Sequence, residues 1–384
     1  MNSTQRQRRS GFTVLEAIVA IAVSVIVVLI AIPLVYRGMQ SLGRNRCAFN
    51  LRGLGQALDS YQTAHSGTYP TGSRFQHSPN SPWGPSWWVE LLPFIADGRK
   101  TQWQQVASSG DFSGNVVNPN YTIVDGLLPN VMRCPSSPLP SFNNPADQVS
   151  RTNRESLDRK AKGIALPDYV AIAGSAPDLL GLGAHPSLLG PAGRNTQDGP
   201  LGILSASGAF PPNQALRHAA LRDGVGNVIL VGEQSTWGLD DYYKPALQYD
   251  LRSCGTGGAY KGAGGDYGLL NPSAEGINGS GAERCFNITT VRYPINHVAI
   301  DAEKLPPGMI ASPATEPPKL PKDKPPKTIA SLPPGPGHNH GIFSVHPGGA
   351  HVLFADGRVE FKSAEMDLTT LLMLVTRDDG GVIK

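Results

Sequence analysis

Four histidines and one aspartate near the C-terminus are the side chains whose spacing could support metal chemistry. They are His338, His340, His346, His351 and Asp356. The ligands of one ion must converge within about 2–2.6 Å of it. His338 and His340 lie in a Gly-His-Asn-His-Gly segment, and His346 and His351 flank a turn. These positions do not force the four imidazole side chains to meet at one ion. We therefore predict no metal site, and we expect the imidazole of His346 to hold the turn by a hydrogen bond to backbone or to Asp356.

Three carboxylates near predicted strands form a second candidate site. Asp223, Glu233 and Asp356 could bind Ca2+, which prefers oxygen ligands. For Glu233 the alternatives are a ligand or catalytic role and an edge carboxylate that hydrogen-bonds nearby backbone. The sequence has no Gly-x-Ser-x-Gly, no His-Glu-x-x-His and no phosphate-binding Gly-Lys-Ser/Thr loop. We therefore predict that the chain is not an enzyme and has no catalytic residues and no cofactor other than this calcium alternative.

The N-terminus combines arginines with a long apolar run that carries a single acid. From Phe12 to Val35 the only ionisable side chain is Glu16. About 24 residues at about 1.5 Å each give a helix of about 36 Å, enough to cross a hydrocarbon core of about 30 Å. The preceding arginines should stay in the cytoplasm, so the chain after Val35 should be exported. A carboxylate near hydrocarbon costs about 1–3 kcal/mol, which makes Glu16 a functional candidate.

The residues around Glu16 resemble the cleavage and methylation signal of type IV prepilins and type II secretion pseudopilins. Gly11 directly precedes Phe12, and Glu16 follows at the spacing of that signal. The resemblance implies that a prepilin peptidase removes 1–11 and that Phe12 becomes the methylated N-terminus. It also implies that Glu16 meets the N-terminal amine of a neighbouring subunit, and Pro33 matches a proline common in pilin helices. The alternatives are a signal-anchor helix and a conventional secretory signal, whose apolar region is usually shorter.

The cysteines predict disulfides, because an exported domain meets an oxidising compartment. They are Cys47, Cys134, Cys254 and Cys285. Cys254 and Cys285 enclose a glycine-rich loop, and we predict that they are bonded. Cys47 would then join Cys134, although four cysteines allow three connectivities. No Cys-x-x-Cys pair occurs, so the spacing does not indicate a zinc site.

Hydrophobic periodicity predicts the helix that leads into the exported part. Apolar residues recur there at alternating steps of four and three, which places them on one face of a helix. They are Cys47, Leu51, Leu54, Leu58 and Tyr61. We expect one helix from about Phe12 to about Ala64, ended by glycine and proline within 65–70 and packed by its second half against a sheet.

Strand signals are runs of β-branched or aromatic residues between turn residues. They predict strands at 168–174, 227–233, 341–345, 351–355 and 358–361. The last two enclose Asp356-Gly357, a strong hairpin signal. A short amphipathic helix should follow at 367–375. Trp87 and Trp88, in a short helix or turn, are more consistent with core packing than with a sugar or partner platform.

Composition favours one large exported domain rather than two. The 44 glycines and 34 prolines argue for many turns and long loops. The net charge of +3 is small and no basic helix or aromatic-basic stripe occurs, so we predict no nucleic acid partner. The proline-rich and lysine-rich segment 305–337 should be an extended, exposed insertion.

The exported part resembles a family of prepilin-signal proteins known as domain of unknown function 1559. His346 with Asp356-Gly357 matches its C-terminal His-x9-Asp-Gly element. Further motifs occur in the family's order: Leu91-Leu92-Pro93-Phe94, Arg133-Cys134-Pro135-Ser136, Asp223-Gly224 with Asn227, Val231-Gly232-Glu233, and Thr376-Arg377 through Gly380-Gly381. The sequence departs from the family in the proline-rich insertion and in the loop between Cys254 and Cys285. The resemblance implies the fold of the family and export from the cytoplasm, but it does not indicate an activity.

These observations predict a pilin-like α+β fold: a long N-terminal helix, membrane-spanning in its first half, packed on an antiparallel β-sheet domain with long loops. The predicted divisions are a leader (1–11), a transmembrane helix (12–36), the exported half of the helix (37–66) and a globular domain (67–384).

The predicted function is a pilin-like or pseudopilin-like subunit that assembles through its N-terminal helix into a pilus-like or type II secretion-like fibre. Its predicted partners are a prepilin peptidase, other pilin-like subunits and the inner membrane, which it crosses once with its C-terminal domain in the periplasm or on an extracellular fibre. The alternative is a membrane-anchored periplasmic or surface module that binds a ligand or metal and uses the helix only as a tether.

Overall fold

The structure is a computed structural model that describes the N-terminal helix and most of the chain that follows it. The described residues are 14–74, 83–95, 106, 112, 119–143, 162–176, 194, 204–240, 248–264, 285–297, 299–300, 311–312 and 341–380. The chain forms two compact units, Met1–Asn45 and Arg46–Lys384. The predicted leader lies outside the described residues, as does nearly all of the proline-rich segment.

Helix α1 (Val14–Ala64) is a single element of 51 residues, as the hydrophobic periodicity predicted. Its span Val14–Pro33 has a mean hydropathy of 3.0 and is exposed throughout. The length and composition of this span fit a membrane anchor or a signal sequence. Pro33 lies inside the helix and removes one backbone donor there.

The second half of α1 enters the core of the larger unit. All five residues of the predicted apolar stripe are buried there: Cys47, Leu51, Leu54, Leu58 and Tyr61. The helix ends at Ala64, and Gly67 then takes a positive φ of 75° while its N–H donates to the carbonyl of Gln62. This glycine end is the one predicted for 65–70, because glycine adopts the left-handed conformation without a Cβ clash.

The larger unit is an α+β body built on short strands. The strands are β1 (Trp83–Pro85), β2 (Tyr169–Ser175), β3 (Ile229–Glu233), β4 (Gly238–Asp240), β5 (Gln248–Tyr249), β6 (Lys261–Gly264), β7 (Ile288–Val291), β8 (Ala299–Ile300), β9 (Ala311–Ser312), β10 (Gly349–Phe354) and β11 (Val359–Ser363). The further helices are α2 (Trp87–Leu91), α3 (Pro119–Val124) and α4 (Leu368–Leu374).

Five of these strands form the central sheet in the order β11-β10-β3-β2-β7. Every neighbouring pair is antiparallel except β2 with β7, which run parallel. In the described part of the chain, β1 pairs with β6, and β8, β4, β5 and β9 form a four-stranded sheet. The antiparallel α+β body predicted from the sequence is therefore confirmed.

The C-terminal hairpin is confirmed, with β10 and β11 joined across Asp356-Gly357 and Gly357 at a φ of 83°. Helix α4 follows as predicted, and the Asp367 side chain accepts a hydrogen bond from the N–H of Thr370 at its start. The strand predicted at 341–345 is wrong in extent: Phe343 makes only an isolated bridge to Gln234.

The central sheet is covered on both faces. On one face α1 approaches β10 so closely that a Cβ on Gly55 would lie 3.1 Å from Leu353 Cδ1. On the other face, α4 packs in one hydrophobic cluster with residues of β3 and β10, including Ile229 and Val352. Trp87 and Trp88 are fully buried in the α1 side of the core, which confirms their interpretation as packing residues.

Candidate functional site

A buried carboxylate at the end of β3 is the centre of the candidate site. Glu233 is fully buried. Because Val352 pairs with Gly232 in the antiparallel β10–β3 ladder, His351 falls opposite Glu233, and its backbone N–H donates to Glu233 Oε2 at 2.9 Å. The other oxygen, Oε1, has no hydrogen-bond partner among the described residues. A buried carboxylate oxygen in that state is costly, so it marks a place where a ligand or a proton would be stabilising.

Two buried histidines converge on this carboxylate. His346 Nε2 lies 3.7 Å from Glu233 Oε1, and His351 Nδ1 lies 3.6 Å from Oε2. Their rings meet edge to face with centroids 5.4 Å apart. His351 is carried by β10, while His346 precedes that strand in a segment tied to the end of β3, where the N–H of Phe343 donates to the Glu233 carbonyl.

The expected hydrogen bond between His346 and Asp356 is wrong. The six residues of β10 separate them, at about 3.3 Å per residue. Asp356 instead accepts from the backbone N–H of Arg358 at 2.9 Å and holds the hairpin turn itself.

A disulfide between Cys47 and Cys134 completes the cluster. Their Cα atoms are 4.9 Å apart, and Cys134 Sγ lies 3.5 Å from His346 Nε2. Both cysteines are buried. Tyr169, which pairs with Glu233 across β2 and β3, donates its hydroxyl to the Cys47 carbonyl at 3.2 Å. The helix α1 and the sheet thus hold the sulfur atoms beside the histidine and the carboxylate.

The prediction that Cys254 bonds Cys285 is wrong, and the second pairing, Cys47 with Cys134, is the one observed. The Cys254 thiol faces the Pro167 carbonyl at 3.9 Å, whereas Cys285 takes part in a β-bridge with Ala263. Both are buried thiols, directed to different neighbours. Burial raises the pKa of Cys254 to about 12, because removal from water disfavours the charged thiolate.

An ion cluster fixes the backbone at Cys134. Asp168 is fully buried and accepts from Arg133 Nη1 at 2.6 Å and from Arg252 Nη1 at 3.0 Å. It also accepts from the N–H of Cys134 at 3.0 Å. Arg252 is itself almost fully buried and pairs with Asp250. Burial raises the pKa of the Asp168 carboxyl to about 7, and the two arginines and the Cys134 N–H oppose this shift because they stabilise the ionised form. The same three hydrogen bonds restrain the segment that carries Cys134.

Four potential ligand atoms meet in this cluster. One atom from each of Cys47, Cys134, Glu233 and His346 lies within 4.8 Å of the others, and all four residues are buried. Three of the motifs quoted above each supply one member: Arg133-Cys134-Pro135-Ser136, Val231-Gly232-Glu233 and the element of His346 with Asp356-Gly357. The order of these motifs was the sequence signal that could have located the cluster. Spacing alone could not, because the members are about 85 to more than 100 residues apart along the chain.

The other candidate residues lie elsewhere. Glu16 is in the first turn of α1 and is exposed. The calcium group does not assemble, because β3 separates Glu233 from Asp356, which lies beside Val225 before that strand. The Asp223 carboxylate accepts hydrogen bonds from the backbone N–H groups of Asp379 and Gly380. Four candidate positions lie outside the described residues: Gly11, Phe12, His338 and His340.

The model of a family described as "protein of unknown function (DUF1559)" matches residues 44–369. The matched part covers well over half of the chain and includes all four members of the buried cluster, but it begins after the apolar span of α1. No curated protein and no solved structure matches the chain.

Proposed function

We propose that this chain, which belongs to the DUF1559 family of proteins of unknown function, is a pilin-like or pseudopilin-like subunit. Its N-terminal helix anchors it in the inner membrane and packs with copies of itself, while the α+β body is exported. A prepilin peptidase cuts between Gly11 and Phe12, and Phe12 is then methylated.

One observation carries the proposal: α1 is a single helix with two different environments. Its span Val14–Pro33 is apolar and exposed, whereas the same helix continues without a break to core residues from Cys47 onward. A secretory signal is cut off after its apolar region, which would here divide a helix that continues into the core. An exposed apolar helix of this length requires lipid or another apolar helix around it.

Glu16 supports assembly rather than simple tethering. It is the acidic residue in the first turn of α1, where the positive end of the helix dipole favours it. A tether does not need a carboxylate at the start of a membrane span, and such a residue is costly there unless it is paired. In a bundle of copies, the amine of a neighbouring processed Phe12 would supply the opposite charge.

Mass spectrometry of the N-terminus of the native protein tests the proposal. We expect the first residue to be methylated Phe12 in cells that contain a prepilin peptidase. The same chain made in a host without that enzyme is the control and should begin at Met1. A native protein that begins at Met1, or that is cut after Val35, would contradict the proposal.

A further inference from the structure

We propose that Cys47, Cys134, Glu233 and His346 form a redox-gated zinc site, empty while the two cysteines are joined and able to bind one Zn2+ when they are reduced. The inference concerns the body alone and does not depend on how α1 is used.

Two of the distances between the ligand atoms, both measured from His346, are close to the edges of a zinc tetrahedron. With Zn–N and Zn–O near 2.0 Å and Zn–S near 2.3 Å, the edges of the tetrahedron are about 3.3 Å for N to O and about 3.5 Å for N to S. His346 Nε2 lies 3.7 Å from Glu233 Oε1 and 3.5 Å from Cys134 Sγ. The distance between the two sulfur atoms departs most from that of a zinc site. The sulfur atoms are bonded to each other in the disulfide, whereas two sulfur ligands of one zinc ion are about 3.8 Å apart.

Glu233 is prepared to act as a ligand through one oxygen. The N–H of His351 occupies Oε2, while Oε1 faces His346 and has no hydrogen-bond partner in the described part of the chain. A metal ion would satisfy this oxygen, which is otherwise costly to bury. This is an observation independent of the cysteines, and it points to a ligand at the same place.

The chemistry of the four residues selects the metal. Two thiolates, an imidazole and one carboxylate oxygen are ligands of zinc in a closed, four-coordinate site. Calcium and magnesium require more oxygen ligands, so they do not fit a cluster with two sulfur atoms. Because all four residues are buried, no coordination position is left open to solvent, as in structural rather than catalytic zinc sites.

Zinc binding requires that the disulfide between Cys47 and Cys134 is first reduced to two thiols. A dithiol reductant gives two electrons and two protons to the Cys47–Cys134 bond and becomes a disulfide itself, which leaves two thiols. Binding of Zn2+ then releases the two thiol protons to solvent, with His346 neutral and Glu233 ionised. An oxidant that removes two electrons from the bound thiolates restores the disulfide and expels the ion.

The test uses the full chain in detergent, unfolded and refolded with Zn2+ in the presence or absence of a phosphine reductant, which is converted to its oxide with oxygen from water. After removal of loosely bound metal, elemental analysis should find about one zinc per reduced chain and less than a tenth of that per oxidised chain. Adding a disulfide-forming oxidant should release the zinc in step with loss of the Cys47 and Cys134 thiols. Cobalt in place of zinc should give the sulfur-to-metal absorption of a tetrahedral site.

Matched variants separate the site from general thiol binding. Glu233→Gln keeps the shape and the hydrogen bond from His351, so it should still fold when oxidised but should weaken zinc binding at least tenfold. Cys134→Ser should also lose the zinc and the cobalt absorption. Cys254→Ser removes a buried thiol outside the cluster and should change neither. Reduced protein that holds no zinc would overturn the proposal, as would zinc that survives Glu233→Gln unchanged or is lost with Cys254→Ser.

Discussion

At the scale of single residues, several buried polar groups restrain the two bonded cysteines. Asp168 and its two arginines restrain Cys134, while Tyr169 restrains Cys47. Each group satisfies a buried partner that would otherwise be costly. Cys254 lies near the same ion cluster, but it is a buried free thiol, whereas Cys47 and Cys134 are joined in a disulfide.

The raised pKa of Cys254 predicts slow alkylation in the folded protein. With a pKa of about 12, only about one thiol in ten thousand is ionised at pH 8, and the thiolate is the reactive form. The alkylation rate of Cys254 in native, oxidised protein should therefore be far below that of the unfolded chain. It should rise about tenfold per pH unit between pH 8 and 11 while the fold persists.

The same labelling, done after unfolding without reductant, also tests the connectivity. Peptide mapping should find Cys254 and Cys285 alkylated, and Cys47 recovered in a peptide linked to Cys134. A linked peptide that contains Cys254 and Cys285 would contradict the structure.

At the scale of secondary structure, the pairing of β10 with β3 creates the candidate site. The register that sets Val352 opposite Gly232 also sets His351 opposite Glu233. Helix α1 covers this region and contributes Cys47, so the site requires the helix and both strands. Packing of α1 on the sheet should therefore contribute strongly to the stability of the body.

Two substitutions of the same kind on α1 test this contribution. Leu54 is fully buried, whereas Leu42 is 61% exposed on the same helix. Leu54→Ala should lower the free energy of unfolding by about 2–5 kcal/mol, through lost burial and a cavity. Leu42→Ala should change it by less than about 0.5 kcal/mol, since leucine and alanine have similar helix propensities. Denaturant unfolding of the full chain in detergent measures both, and equal effects would show that α1 does not form part of the core.

Much of the element structure could be predicted from the sequence, because it depends on local patterns. The 4–3 spacing of Cys47, Leu51 and Leu54 was enough to orient the second half of α1, and Asp356-Gly357 was enough for the hairpin.

The site could not be predicted, because it depends on contacts between distant segments. His346 and His351 flank a turn, but both reach Glu233. The β10–β3 register brings His351 there, and the contact of Phe343 with the end of β3 brings His346 there. Four cysteines allow three pairings that no spacing rule distinguishes, and the glycine-rich loop between Cys254 and Cys285 favoured the wrong one.

At the scale of the whole molecule, the chain has an apolar span, Val14–Pro33, that is exposed, and a larger unit whose described hydrophobic core begins at Cys47. Assembly in the proposed fibre would then rest on the span Val14–Pro33 and on Glu16 in its first turn.

Glu16→Ala should separate membrane insertion from assembly. The substitution makes the span more apolar, so insertion should persist, whereas loss of the charge partner in a bundle of copies should reduce cross-linked multimers at least tenfold. Ser24→Ala is the control, because the Ser24 hydroxyl donates within the helix, to the Ala20 carbonyl. Membrane flotation and in vivo cross-linking measure the two properties. Multimers that are unchanged in Glu16→Ala would favour a simple tether.

The position of the disulfide along the chain has a mechanical consequence. Cys47 is the second residue of the larger unit, and the bond joins it to a residue 87 positions later. Any tension applied through the N-terminal end of α1 therefore reaches a covalent cross-link before it reaches the buried turns from Leu51 to Tyr61. The helix cannot be peeled from the sheet turn by turn while that bond is intact, so the load is shared with the segment around Cys134.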